Sequence, residues 1–315
     1  MNQTTARKPL AGLAWFVLGW NVLVILWGAV VRATGSGAGC GAHWPTCNGS
    51  VVPLAPSVET LIEYSHRATS GIALLLVALL LYQVFRRRSP GHLARFWAAA
   101  SMALILSEAA IGAGLVLFER VAGDTSIARG FWISGHLVNT FLLLAALTLT
   151  ARLVDAPRSP LPGALRGPLR ATFPSASRNG AAVFATLALI ATGISGAIAA
   201  LGDTLFKAST LAEAMAQDFS SASHIFLRLR IFHPLIAIMG GFLVLLVAYR
   251  TITSNPNRPE ARHRGLLLAA LVVAQWFLGL TNLVLLAPTW LQIAHLLVAD
   301  LIWMTLILVI SDVEP

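Results

Sequence analysis

Charge is what this sequence has least of. Only 11% of its 315 residues are charged and 57% are apolar, whereas soluble globular domains carry about 25% charged residues. Together with a mean hydropathy of +0.76, that scarcity excludes an ordinary soluble fold and points to an integral membrane protein. The formal net charge is +9. In a soluble chain this would raise the question of nucleic acid, but here Lys and Arg lie between apolar runs. That pattern orients a chain in a bilayer, so the expected partner is membrane lipid and no nucleic acid is expected. Cysteine is nearly missing too. Cys40 and Cys47 are too few for a disulfide framework or a multi-cysteine metal site. The first apolar run follows Arg7-Lys8 but is too long for the apolar part of a signal peptide and shows no clear small-residue cleavage site, so it reads as a membrane helix. No separate soluble domain is visible.

What is there in quantity is apolar run. Roughly 20 apolar residues cross a bilayer core as a helix, and eight segments qualify, at about 10–32, 61–85, 94–118, 128–153, 180–201, 224–250, 264–287 and 289–311. Fifteen of the 22 basic residues fall at the termini of these segments on one side, including Arg86, Arg87, Arg88, Arg152, Arg158 and Arg262. That side is expected to be cytoplasmic, with both termini on it. The stretch 156–179, rich in Pro, Ser, Arg and Gly, reads as a cytoplasmic linker between an N-terminal four-helix half, 1–155, and a C-terminal half, 180–315. The halves repeat. A shift of 167 carries His66 onto His233, Tyr82 onto Tyr249, Gly112 onto Gly279 and Glu108 onto Gln275. A shift of 159, after the shorter last turn, carries His136 onto His295. Four helices per half keep the repeats in one orientation. The expected fold class is an all-α integral membrane protein of eight transmembrane helices, arranged as two pseudo-symmetric four-helix bundles.

His66, His136, His233 and His295 lie inside the expected spans, on helices that all run from outside to inside, each near the outer end. Neutral imidazole is a good ligand for haem iron, and facing helices of a bundle can supply both axial positions. A zinc site would more often add carboxylate or thiolate. Each half offers two histidines, which suits one haem per half. His43, His92, His224 and His263 fall in loops or at helix ends and read as solvated.

The stretch Ile62-Glu63-Tyr64-Ser65-His66-Arg67 places Glu63 and His66 three apart, on one helical face. Two readings of Glu63 stand. Thr60-Leu-Ile-Glu63 matches a capping box with Glu63 at the third helical position. The other reading is a carboxylate beside an iron site that moves a proton or stabilises a cation. The second half has Arg230 at the equivalent position, so chemistry is expected in the first half and cofactor holding in the second. Arg67, Arg129, Arg228 and Arg230 either snorkel at the membrane surface or serve as candidate partners of haem propionates. The Cys40/Cys47 loop is expected on the outer face, where a disulfide is permitted; a staple and a redox-active pair are equally open. Glu108 and Asp300 read as buried acids, either proton-handling or structural.

Together, Arg32-Ala-Thr-Gly-Ser-Gly, the Cys40/Cys47 loop with Trp44-Pro45, Glu63-Tyr-Ser-His66-Arg67, His136, His233 and His295 resemble the haem A synthase family over nearly all eight helices. The resemblance implies an oxidoreductase that converts a methyl group of haem O to a formyl group by successive hydroxylations and loss of water, giving haem A for terminal cytochrome oxidases. It implies haem b as cofactor between His233 and His295, the substrate haem near His66 and His136, an essential Glu63, a Cys40–Cys47 disulfide, and a haem O synthase as candidate partner in the cell membrane. The electron acceptor and oxygen source are not specified. The sequence departs from the family pattern at Pro234, where many relatives have Arg and where a kink is expected, and at Glu108, where Gln is expected. The main alternative is a bis-haem cytochrome b-like membrane electron carrier. A transporter is a third class, but the discontinuous helices it would need are not evident.

Overall fold

The computed structural model describes residues 10–156, 172–173 and 180–312. Among these residues every long element is a helix, and eight spans are long and apolar enough to cross a membrane. They are α1 (Ala11–Ala33), α2 (Val58–Arg87), α3 (Leu93–Leu117), α4 (Ile127–Leu153), α5 (Gly180–Leu205), a two-part span made of α7 (Ile225–Arg230) and α8 (Phe232–Ser254), α9 (Pro259–Val284) and α10 (Thr289–Asp312). A short helix, α6 (Leu211–Phe219), lies between α5 and α7, and a single 3₁₀ turn, Ser36–Ala38, follows α1. Most of the 156–179 linker lies outside the described residues.

The helix ends are set by local chemistry. Ser57, Ser126 and Thr210 each accept a backbone N–H three residues on, satisfying a donor that a helix start otherwise leaves open. His92 and His224, read from sequence as solvated, cap α3 and α7 through Nδ1. The start of α1 is capped from 144 residues away: Asp155 accepts the N–H groups of Leu10 and Ala11 at 3.2 and 2.8 Å and also pairs with Arg88. Gly35, at φ 72°, stands just past the end of α1, a backbone conformation that costs glycine least.

Two results bear on the sequence reading. Ser57 is the N-cap of α2, so the helix starts a turn earlier than a capping box at Thr60–Glu63 requires, and that reading of Glu63 is corrected. At Pro234, where a kink is expected, the span is divided into α7 and α8 at Ile231. Ile231 keeps helical angles, φ −55° and ψ −34°. What is lost is the bond Pro234, having no N–H, cannot make to the Arg230 carbonyl.

The core runs along α4 and α10, whose most apolar windows are 50% buried, against 11% for α9; the other helices present more of their surface to lipid. Leu144, Leu147, Leu149, Trp303 and Leu306 are buried there. The Trp303 indole donates to the Phe141 carbonyl at 2.6 Å and its ring stacks on Phe141 at 4.9 Å. In hydrocarbon, association rests on such packing and polar contacts, since lipid is as apolar as leucine. Helices α1 to α4 pack in sequence, α5 packs on α8, α8 on α9 and α9 on α10, and contacts of α4 with α5 and α10 join the two sets.

Candidate functional site

Each of the four intramembrane histidines sits within the first three turns of its span: His66 on α2, His136 on α4, His233 beyond α7 at the start of α8, and His295 on α10. His66 and His136 lie within electrostatic reach of one another, as do His233 and His295. The structure therefore pairs the histidines within each half, His66 with His136 and His233 with His295. A glycine from a neighbouring helix lies against three of the rings. A Cβ on Gly28 would come to 3.0 Å of the His66 ring, on Gly196 to 2.9 Å of His233, and on Gly279 to 3.3 Å of His295. Gly112, which the repeat matches to Gly279, has nothing within 4 Å.

The rings differ in what faces them. The Glu108 carboxylate stands 3.4 Å from His136 Nδ1, close enough for an ion pair but outside hydrogen-bond geometry, so Nδ1 has no hydrogen-bond partner. Ser195 Oγ lies 3.0 Å from His233 Nδ1, and Gln275 Nε2 lies 3.2 Å from His295 Nε2. His66 Nδ1 is buried without a partner. His136 and His233 thus each turn Nδ1 toward a side chain, the arrangement in which a neighbouring group orients a metal-binding imidazole, whereas His295 meets Gln275 through Nε2 and its Nδ1 is buried without a partner. Beside His233 an apolar groove of about 270 Å³ is lined by Ala191, Ser195, Ile198, Leu229, Phe232 and Ile236. Among the described residues no cluster of three His, Cys, Asp or Glu side chains suits a bare metal ion.

Glu63 is 3% exposed and reaches toward the cysteine loop. Its Oε2 accepts the Cys40 N–H at 2.8 Å, and its Oε1 pairs with Arg67 at 2.5 Å. Arg67 in turn donates to the carbonyls of His43 and Thr46, both at 2.7 Å. Cys40 and Cys47 form a disulfide. The Gly39 backbone passes so close to α2 that a Cβ would meet Glu59 at 2.5 Å, which explains a glycine there. The loop is thus fastened to the helix that carries His66.

The other arginines have protein partners as well. Arg129 is buried and donates to the carbonyls of Ala122 and Asp124. Arg230 pairs with Asp203 and Asp218 at 2.6 and 2.5 Å. Arg228 is exposed, with no ion pair among the described residues. Sequence reading missed Arg32 as a joint. It donates to the Ala200 carbonyl, the Thr204 hydroxyl and the Gln292 side chain at 2.7, 2.8 and 2.8 Å, linking α1 to α5 and α10. Asp300 is fully buried, and both its oxygens lack a hydrogen-bond partner.

A family model described as COX15-CtaA, cytochrome oxidase assembly protein, matches residues 11–307. The chain belongs to this family. This cytochrome oxidase assembly family member is 47% identical over 303 residues to a protein of Thermus thermophilus named Protoheme IX farnesyltransferase, an alignment covering 96% of the chain and 48% of the relative. It is 40% identical over 126 residues to a Heme A synthase of Shouchella clausii, covering 40% of the chain and 41% of the relative. With a Heme A synthase of Exiguobacterium it shares 38% over 141 residues, covering 45% and 46%. The chain spans about half the length of the curated relatives it matches. Haem is the group this family implies. Two pairs of imidazoles, each pair within electrostatic reach and three of the four rings packed against a glycine, fit it.

Proposed function

We propose that this chain is a haem A synthase of the cell membrane that oxidises a methyl group of haem O to a formyl group by successive hydroxylations and loss of water. The supporting observation is an asymmetry. Among the described residues a carboxylate contacts a ring of the first histidine pair alone, Glu108 at 3.4 Å from His136, and Glu63 stands one turn before His66 on α2. The second pair has a hydroxyl, Ser195, and an amide, Gln275.

In this reading His66 and His136 hold the substrate haem, and His233 and His295 hold haem b as axial ligands. Haem b, when bound, supplies a one-electron carrier beside the substrate. Glu63 is the catalytic group, its carboxylate held in a dry site where it moves a proton or stabilises positive charge. Arg67 fixes that carboxylate by their 2.5 Å contact. Arg228, exposed and without an ion pair, is the arginine best free to meet a propionate, because Arg67, Arg129 and Arg230 already have partners. The basic residues put both termini and the 156–179 linker in the cytoplasm and the cysteine loop on the outer face. The four-helix halves act as pseudo-symmetric haem-binding units. A haem O synthase is the fitting partner. The Thermus relative carries a protohaem farnesyltransferase name and roughly as much chain again beyond the matched part, which supports physical coupling of the two steps.

Co-expression with a haem O synthase followed by pigment analysis tests the reading, and haem A should accumulate. Purified protein should show a low-spin bis-histidine spectrum that His233→Ala or His295→Ala removes. A haem spectrum without haem A indicates the cytochrome b-like carrier; an unchanged spectrum in both variants removes the cofactor assignment.

A further inference from the structure

Glu108 lies on α3 in the hydrocarbon, where an acid is costly unless it is used or satisfied. Two donors hold its carboxylate. The Asn139 amide donates to Oε2 at 2.5 Å, and the Thr140 hydroxyl donates to Oε1. Asn139 is itself held by the Ser107 hydroxyl, which donates to its Oδ1 at 2.6 Å, and by the Leu104 carbonyl, which accepts at 2.9 Å. The donors Asn139 and Thr140 come from α4, the helix that bears His136, so the carboxylate and the imidazole are held against the same surface. Thr140 Oγ1 also lies 2.9 Å from the His136 carbonyl, a second acceptor within reach of its single proton. The result is a carboxylate 3.4 Å from His136 Nδ1, with no freedom to turn elsewhere. Gln275 holds the repeat-equivalent position with an amide in place of the acid, but it meets the other ring nitrogen, its Nε2 lying 3.2 Å from His295 Nε2.

We propose that Glu108 is a positioning residue for His136, making it the most strongly donating of the four imidazoles. The role rests on the reading of His66 and His136 as the substrate-haem pair. At 3.4 Å the contact is an ion pair rather than a hydrogen bond, so Glu108 acts through its charge: a carboxylate beside the outer nitrogen favours the tautomer with its proton there and makes the inner nitrogen more basic, and losing an orienting partner of a metal-bound imidazole typically weakens metal binding by about 10–100-fold. An amide orients a ring but brings no charge. The two halves thus place an acid and an amide at repeat-equivalent positions beside their histidines, and only the acid brings a charge. A stronger donor favours ferric over ferrous iron at the site where the macrocycle is oxidised. The weaker donor suits a haem that accepts and passes electrons.

The test uses full-length protein in detergent, with His295→Ala as background so that added ferric haem reports on the first pair. Glu108→Gln, which removes the charge and installs the residue found at the repeat-equivalent position 275, should still bind haem with a bis-histidine spectrum. It should bind ferric haem at least tenfold more weakly and shift the midpoint potential upward, by about 59 mV per tenfold loss of ferric preference for a one-electron couple. Gln275→Glu in an otherwise wild-type chain should lower the potential of the haem held by His233 and His295, and it stands as an independent test if Glu108→Gln does not fold. Haem bound with unchanged affinity and potential in Glu108→Gln overturns the positioning role while leaving the haem reading intact. If Gln275→Glu is the only variant recovered, an unchanged potential overturns it too. A background protein that takes up no haem, with or without Glu108, overturns the haem reading and this role with it.

Discussion

Glu63 accepts the backbone N–H of Cys40 at 2.8 Å, so an acid one turn from His66 on α2 also holds the disulfide loop. Two substitutions separate these jobs. Glu63→Gln keeps an acceptor for Cys40 but removes the charge facing Arg67; Glu63→Ala removes both. Each is expected to abolish haem A formation while the haem held by His233 and His295 keeps its spectrum. Glu63→Ala should also lower stability by about 3–5 kcal/mol, because Arg67, only 13% exposed, is left without its counter-charge. Wild-type haem A yield in Glu63→Gln would reduce the residue to a fastener of the loop.

Gly28 and Gly196 set how close α1 and α5 come to two of the rings. Gly28→Ala and Gly196→Ala place a methyl group 3.0 and 2.9 Å from His66 and His233, tighter than packed carbon atoms allow. Gly196→Ala should cut occupancy of the His233/His295 haem, and Gly28→Ala should cut uptake of added haem by His66 and His136. Gly12→Ala, which meets nothing within 4 Å, is the control. Equal haem content in all three would mean that the rings move aside freely.

The Cys40–Cys47 bridge closes a short loop with a sequence separation of 7. Loop-closure entropy for so small a ring is worth about 2–3 kcal/mol. The Cys40→Ser/Cys47→Ser double variant should unfold at lower temperature by an amount matching that figure. It should also gain proteolytic sensitivity between residues 40 and 57 while the haem signature of His233 and His295 persists. An unaltered melting temperature would mean that Arg67 and Glu63 hold the loop without it.

Asp300 keeps two buried, unpartnered oxygens in the α4–α10 core. An unsatisfied buried polar group costs about 1–3 kcal/mol, so Asp300→Leu should raise the melting temperature and leave haem content intact. A lower melting temperature, or lost haem A formation in a folded protein, would mean that the carboxyl takes part in function.

The eight spans were legible because each needs only a long apolar run, a property of consecutive residues. The histidines stood out because hydrocarbon makes each one costly. Short-range signals served less well. The match Thr60-Leu-Ile-Glu63 described a cap that Ser57 supplies, and Glu63 turned to Cys40, 23 residues back. Helix α6 is nine residues long, too short to signal a span. Asp155 capping α1 and Arg32 reaching Gln292, 260 residues on, are decided by which helices become neighbours. Nothing in local composition announces that. Glu108 was visible as an acid in an apolar helix, but its role needed the position of His136.

Arg32 carries a further consequence. A carrier that works by alternating access must rock one bundle against another about a central site. Here such a swing would break three charge-assisted hydrogen bonds from one guanidinium to α5 and α10 and leave the cation stranded in a nonpolar surrounding. Arg32 acts as a rivet across the seam. For ring pairs that hold haems as proposed, such a joint would keep the gap between them constant, which suits electrons hopping over it better than cargo moving through a changing one.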